Sequence, residues 1–302
     1  LEITDELTIE GLGEDELTID AGGNSQVFSI SDGNFENAIE VVIDGLTITG
    51  GNFEVDGGGI LNFESLTLSN STVSGNFAEL NGGGIFNSGS LTLSNSTISG
   101  NSADSGAGGI ASGGESLTLS NSTISGNYTQ NNGGGLSNFG GSLTLSNSTI
   151  SGNSARVGGG IYHFDGSLTL SNSTISGNSA TRSGGGIYNK NESLTLSNST
   201  VSGNSANRSG GGIYNKNGSL TLGNNIIANS LSGGDVFNTG TVILSSMNLV
   251  EDGSLAGSIT DDPNLSPLQD NGGPTLTQIP LEGSPAIDAG NNAQIPADTL
   301  DL

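Results

Sequence analysis

The chain has no cysteine and no tryptophan, and only five Lys or Arg residues stand against thirty Asp or Glu. Without cysteine there is neither a disulfide framework nor a thiolate metal site, and redox chemistry says nothing of the compartment. A formal net charge of −25 repels phosphate backbones and argues against a nucleic-acid partner. No apolar run approaches the length of a membrane span. At 31% hydrophobic and 4% aromatic residues, the composition is too lean for a domain packed around one central core. Proline is missing from the first 262 positions; all six lie at Pro263, Pro267, Pro274, Pro280, Pro285 and Pro296. No initiator Met or signal peptide precedes Leu1, which reads as the middle of a strand, so we expect a processed segment of something longer.

What the chain has instead is a repeat. The words SLTLSNSTISGN at Ser167–Asn178 return, nearly unchanged, from Ser90, Ser116, Ser142, Ser193 and Ser219. The first Leu of LTL falls at Leu66, Leu91, Leu117, Leu143, Leu168, Leu194 and Leu220, in steps of 25 or 26. The residue closing the Gly-rich run keeps the same time at Ile60, Ile85, Ile110, Leu136, Ile161, Ile187 and Ile213, and so does the Asn after Ser-Gly, from Asn76 to Asn204. Disordered Gly- and Ser-rich tracts have no reason to hold leucine in phase over seven coils.

Helical solenoids need apolar residues at i, i+3 and i+4, whereas here they alternate. In Leu168-Thr169-Leu170 the two leucines share one face and Thr169 takes the other. Ile175 marks a second short strand and Ile187 a third. Three short strands per coil of about 25 residues, with Asn and Gly at the corners, predict an all-β, right-handed parallel β-helix. We divide the chain into irregular coils at 1–50, a regular array at 51–260 and a Pro-rich segment at 261–302. Because proline cannot donate to a ladder, this last segment is expected to cover the open end of the helix. Ten to twelve coils at about 4.8 Å would make a rod of roughly 50 to 55 Å.

The columns generated by the repeat are the places to look for function. The corner column Asn70, Asn95, Asn121, Asn147, Asn172, Asn198 and Asn224 is expected to stack its amides along the axis and to satisfy corner backbone groups. Its Asn-Ser-Thr also matches a glycosylation sequon, which the corner ladder explains without a sugar. The outward Thr column, Thr67, Thr92, Thr118, Thr144, Thr169, Thr195 and Thr221, is flanked by Ser. A flat hydroxyl grid of this kind resembles ice-binding β-helices, although the motif is Ser-x-Thr-x-Ser and not a double Thr array.

All five basic residues fall in register: Arg156, Arg182 and Arg208 one coil apart, Lys190 and Lys216 likewise. In the same three coils the residue after the Gly-rich Ile is Tyr162, Tyr188 or Tyr214. These columns are the candidate ligand-binding residues, suited to an anionic or neutral glycan through charge-assisted hydrogen bonds and ring stacking. The plainer reading is duplication of neighbouring repeats, with the cations balancing Asp165 and Glu192. His163 takes a place held elsewhere by Asn138, Asn189 and Asn215, and reads as a corner or surface substitution; no nucleophile stands out beside it.

Polysaccharide lyases and hydrolases also use parallel β-helices. They need an irregular cluster of carboxylates and a base, and Asp165 near Arg156 and Arg182 is the one such neighbourhood here. No catalytic residue is assigned and no cofactor is expected. Asp261, Asp262, Asp270 and Asp288 would be the carboxylates available to Ca²⁺, without the spacing of an EF-hand or a nonapeptide repeat.

The coil GGGIYNKNESLTLSNSTVSGNSA at Gly184–Ala206, followed by DNGGPTLTQIPLEGSPAIDAGNN at Asp270–Asn292, resembles the right-handed parallel β-helix proteins of bacterial surfaces with a pectate-lyase-like fold, in particular the choice-of-anchor Q proteins. The likeness covers roughly residues 40–293 and is most specific in GGPT and SPAIDAG. It is looser to polymorphic outer-membrane repeats, whose Gly-Gly-Ala-Ile is Gly-Gly-Gly-Ile here. The resemblance implies an exported protein, secreted or anchored at the surface, and it supplies no catalytic residues. The expectation is a non-catalytic structural or adhesive rod whose partner is a glycan or another surface polymer.

Overall fold

The computed structural model describes residues 1–34 and 38–294. Nearly every described element is a short strand, and the strands form three parallel sheets of 18, 10 and 7 members. One regular coil shows how the sequence is spent. Ser65–Ser69 lies in the first sheet, Thr72–Ser74 in the second and Phe77–Ala78 in the third, after which Ile85–Asn87 re-enters the first sheet. Each coil therefore carries four strands on three sides. The two-residue Ser-Ala strand is too short to give a periodic signal, and the Ile and LTL strands share one sheet. They merge outright in the 11-residue strands Leu136–Ser146 and Ile161–Ser171.

Like stacks on like. Leu117 pairs with Leu143 and Leu143 with Leu168, and all three are at most 1% exposed. The inward Leu, Ile and Val of successive coils make one continuous core from Ile3 to Leu255. A thin coil can bury so few apolar residues only because its neighbours above and below complete the burial.

Most regular coils turn their three corners on single residues with positive φ, the coil of Gly106–Ile110 lacking one at its Gly-rich run. The Asn column from Asn70 to Asn224 has φ of 46–57°, and the Gly of Ser-Gly-Asn, from Gly75 to Gly203, has 62–67°. The first Gly of the Gly-rich run, as in Gly184 at 68°, turns the third. Asn and Gly are the residues that enter this region at least cost. The Asn70 column thus serves through its backbone. Its side chains link along the axis only in places, such as Asn224 Nδ2 to Asn198 Oδ1 at 3.0 Å.

The continuous amide ladder stands elsewhere, inside the tube, on residues that the sequence offered merely as a clock. Asn76, Asn101, Asn127, Asn153, Asn178 and Asn204 are all buried. Asn153 Nδ2 donates to Asn178 Oδ1 at 2.9 Å and to Ile124 O at 3.0 Å, while Asn153 Oδ1 accepts from the N and Nδ2 of Asn127. A second buried column runs through Asn62, Asn87, Ser112, Asn138, His163, Asn189 and Asn215. A third is the serine column in which Ser122 N donates to Ser148 Oγ at 3.2 Å. These columns satisfy backbone groups that the corners leave unpaired inside the tube.

The ends depart from the pattern. Ile9 pairs with Ile43, a step of 34 residues, and the third sheet begins only at Asn52–Phe53. At the other end Leu255, 7% exposed, tucks under the last coil, and Leu249 bridges to Ile259. The Pro-rich segment then leaves the stack. It forms an antiparallel hairpin, with bridges Leu265 to Pro280 and Gln269 to Thr277, that lies beside the second sheet and not over the open end. Thr149 Oγ1 donates to Leu276 O at 2.7 Å, and Asn291 N donates to Asn224 Oδ1 at 2.9 Å. Lacking donors for the ladder, proline cannot extend the helix axially, and the Thr and Asn side chains of the flank hold the hairpin instead. With these residues outside the stack, the second sheet has ten strands and nine coil-to-coil steps, a length of roughly 43 Å at about 4.8 Å each. Pro296 lies outside the described residues. Replacing Thr149 by Ala should loosen the hairpin, seen as faster proteolysis between residues 268 and 278 with unchanged cleavage of the coils.

Candidate functional site

The first sheet turns the residue after each Gly-rich Ile outward, so the pairing Tyr162 to Tyr188 to Tyr214 to Phe237 is imposed by strand register. Their rings stack in one file. Centroids are 5.3, 4.9 and 4.8 Å apart in that order, and the planes lie within 13° of parallel. Phe164, two residues after Tyr162 and so on the same face, stacks on it at 6.3 Å. Lys190 Nζ sits 4.5 Å from the centre of the Phe164 ring, within reach of a cation–π contact. Toward the N-terminus the same column holds Leu61, Phe86, Ala111 and Ser137, and the file stops.

The cations flank this file. Arg182 N donates to Arg156 O at 2.9 Å and Arg208 N to Arg182 O at 2.8 Å, which fixes the three arginines one coil apart. Lys190 pairs with Lys216 across the sheet. Burial raises the Tyr188 phenol, Tyr214 and Tyr162 push the same way, and Arg182 pulls it back; burial also raises Tyr162. Among the described residues none of the five cations forms a salt bridge. Any offset of their charge by Asp165 and Glu192 therefore acts beyond ion-pair distance. Asp165 spends a carboxylate oxygen on the N–H of Gly166 at 2.8 Å.

One feature of the expected site changes. The ring faces are turned toward one another along the axis, so what reaches solvent is the ring edge with its hydroxyl. Stacking of a sugar on a tyrosine face is not offered, whereas charge-assisted hydrogen bonding is. Two members of the file, Phe164 and Phe237, were not foreseen. Strand parity would have found Phe164, and alignment of Val236-Phe237-Asn238 with Ile213-Tyr214-Asn215 would have found Phe237.

His163 is fully buried and not a surface substitution. Its Nδ1 lies 3.3 Å from Asn138 Nδ2, and burial pulls its pKa from 6.5 down to about 4. The ring stays neutral in the fold and charges on unfolding. Stability should accordingly fall as pH drops from about 6.5 to about 4 and level off below, a loss of about 3 kcal/mol. His163→Asn removes this component, and the check is the difference in urea midpoint between variant and parent across that pH range. A parallel pH profile for the two proteins would refute it.

Among the described residues no three His, Cys, Asp or Glu side chains are grouped to hold a metal ion. The Asp262 and Asp270 carboxylates accept from the N–H groups of Asn264 and Gly272 in their own turns. Two shallow depressions, of about 100 and about 360 Å³, lie between the Asn224 corner and the 286–292 stretch, lined by Asn, Ser, Thr, Gly and apolar residues without a carboxylate. Among the described residues no helix is long and apolar enough to cross a membrane.

A sequence profile described as "Right handed beta helix region" matches residues 15–231. No curated protein and no solved structure matches the chain. The profile spans the array in which strand register, inward leucines and positive-φ corners repeat, and the chain belongs to the right-handed β-helix family.

Proposed function

We propose that the chain is a non-catalytic rod segment of an exported bacterial surface protein, with a structural or adhesive role. The observation that carries this reading is the sameness of the outward face. Ser-x-Thr-x-Ser repeats in register from Ser65–Ser69 to Ser193–Ser197, and only its last Ser gives way to Gly223 in the next coil, without a cleft or a pair of opposed carboxylates. A solenoid whose interior strands are paired on both sides is stiff, and dense negative charge keeps it soluble. Incubation with a broad polysaccharide panel should give no chain cleavage, and any turnover abolished by Asp165→Asn or Arg182→Gln would make the protein an enzyme instead. The same reading expects no thermal hysteresis from the hydroxyl grid. Surface proteolysis of cells producing the full-length protein should release this segment, and retention inside the cell would sink the surface role.

A second reading, glycan binding through Arg156, Tyr162, Arg182, Tyr188, Lys190, Arg208, Tyr214 and Lys216, is favoured by one observation. All five cations of a strongly acidic chain gather around a single file of rings.

A further inference from the structure

We propose that Asn121 carries an N-linked sugar, and that the fold selects it from six corners with the same Asn-Ser-Thr sequence. The six are Asn70, Asn95, Asn121, Asn147, Asn172 and Asn198, all with φ of 46–50°. A sequon presents two groups, the carboxamide and the hydroxyl two residues later. The six corners differ in what the fold does with those groups. At Asn121 both are presented. Ser122 points inward, 1% exposed, so Asn121 before it and Thr123 after it both lie on the outer surface, partly exposed. The Asn121 carboxamide has no hydrogen-bond partner among the described residues. An amide nitrogen is a poor nucleophile while its lone pair is delocalised into the carbonyl. A transferase must therefore turn the carboxamide, and a side chain tied into the fold resists that.

The other corners are compromised. Asn70 Nδ2 donates to Asp44 Oδ1 at 2.7 Å, and the Thr72 hydroxyl donates to Glu14. Thr149, 0% exposed, is closed off under the Pro-rich hairpin, and Thr174 is 5% exposed. The Asn198 carboxamide accepts from Asn224 Nδ2 at 3.0 Å. Asn95 is the nearest rival, its Nδ2 donating to Asn70 Oδ1 at a long 3.4 Å. Adjacent corners are about 4.8 Å apart, too close for two branched sugars side by side. The donor is a sugar activated on a diphosphate, carried by a lipid or a nucleotide. Asn121 Nδ2 bonds to the anomeric carbon as the bond from that carbon to the diphosphate oxygen breaks. The diphosphate leaves with the electron pair, and Nδ2 gives one proton to the transferase's base, with no net oxidation or reduction. The sugar would stand over the stretch of the second sheet between the Glu14 contact and the hairpin, where Thr97, Ser99, Thr123 and Ser125 stay partly exposed.

The test is mass spectrometry of the full-length protein purified from the cells that make it, with electron-transfer fragmentation of its peptides to keep sugars on their residues. One glycan mass is expected on Asn121, with Asn147 and Asn172 unmodified. Thr123→Val should abolish the added mass, and Thr123→Ser should retain it. This pair leaves the Asn121 corner in place and so separates loss of the acceptor from loss of the turn. An unmodified Asn121 in the parent protein would overturn the proposal. Equal occupancy of Asn121, Asn147 and Asn172 would overturn selection by the fold, and an undiminished sugar on Thr123→Val would overturn the role given to the hydroxyl.

Discussion

Replacing Asn153 by Ala should lower stability by about 3 to 5 kcal/mol, more than most single substitutions on so polar a chain. The amide is fully buried and stands in the middle of its column. Its Oδ1 takes the backbone N–H of Asn127 at 2.9 Å and the Asn127 side chain at 3.0 Å, and its Nδ2 supplies Ile124 O. Alanine leaves a buried N–H and a buried carbonyl without partners, and no water-sized polar substitute is brought in by the smaller side chain. Because solenoids open coil by coil, the effect should be local: hydrogen exchange should accelerate most in the coils of Ile124, Asn127 and Asn178. The contrasting corner is Asn121, whose φ is 50°. There Gly should be nearly neutral and Ala should cost about 1 kcal/mol, because the conformation and not the side chain is what that corner needs. Equal losses for Asn153→Ala and Asn121→Ala would refute the assignment of the two columns.

Gly185→Ala should be as damaging, for a steric reason. A Cβ at Gly185 would stand 2.3 Å from Ser205 O and 2.4 Å from Gly211 O, both backbone atoms. Neither can yield without separating two coils. At Gly186 the added carbon would meet Gly212 O at 2.7 Å and press on the Asn204 amide at 3.1 Å. The run of three glycines therefore meets two requirements: Gly184 turns a corner, and Gly185 and Gly186 let one coil lie directly on the next. A loss of about 3 kcal/mol or more is expected for Gly185→Ala, read as a lowered urea midpoint. Gly100→Ala, at an open corner with nothing within 4 Å of the new carbon, should cost only the strain of its φ, about 1 kcal/mol. Loss of the difference between these two variants would mean that the coils are not in direct backbone contact.

The leucine columns were legible because strand geometry converts period two and a 25-residue repeat directly into burial, as Leu117, Leu143 and Leu168 show. The role of the asparagines was not legible. Asn153 and Asn147 are the same residue six positions apart and equally periodic, yet one faces inward and bonds four ways while the other turns the chain. Which is which depends on where the corners fall, and corner position is fixed by φ, for which sequence gives only a preference. His163 was misplaced for the same cause: its column is buried, and imidazole is tolerated there only as the neutral ring.

Sequence by itself determined the coil, its period, its inward face and the register of Arg156, Arg182, Arg208, Lys190 and Lys216, since each follows from repetition at fixed spacing. Tertiary structure alone decided that the rings stack face to face, that Phe164 and Phe237 extend the file, and that the Pro-rich hairpin lies along the flank. Ring orientation and hairpin docking depend on contacts between side chains one or more coils apart, and the spacing of residues along the chain carries no information about the angle at which they meet.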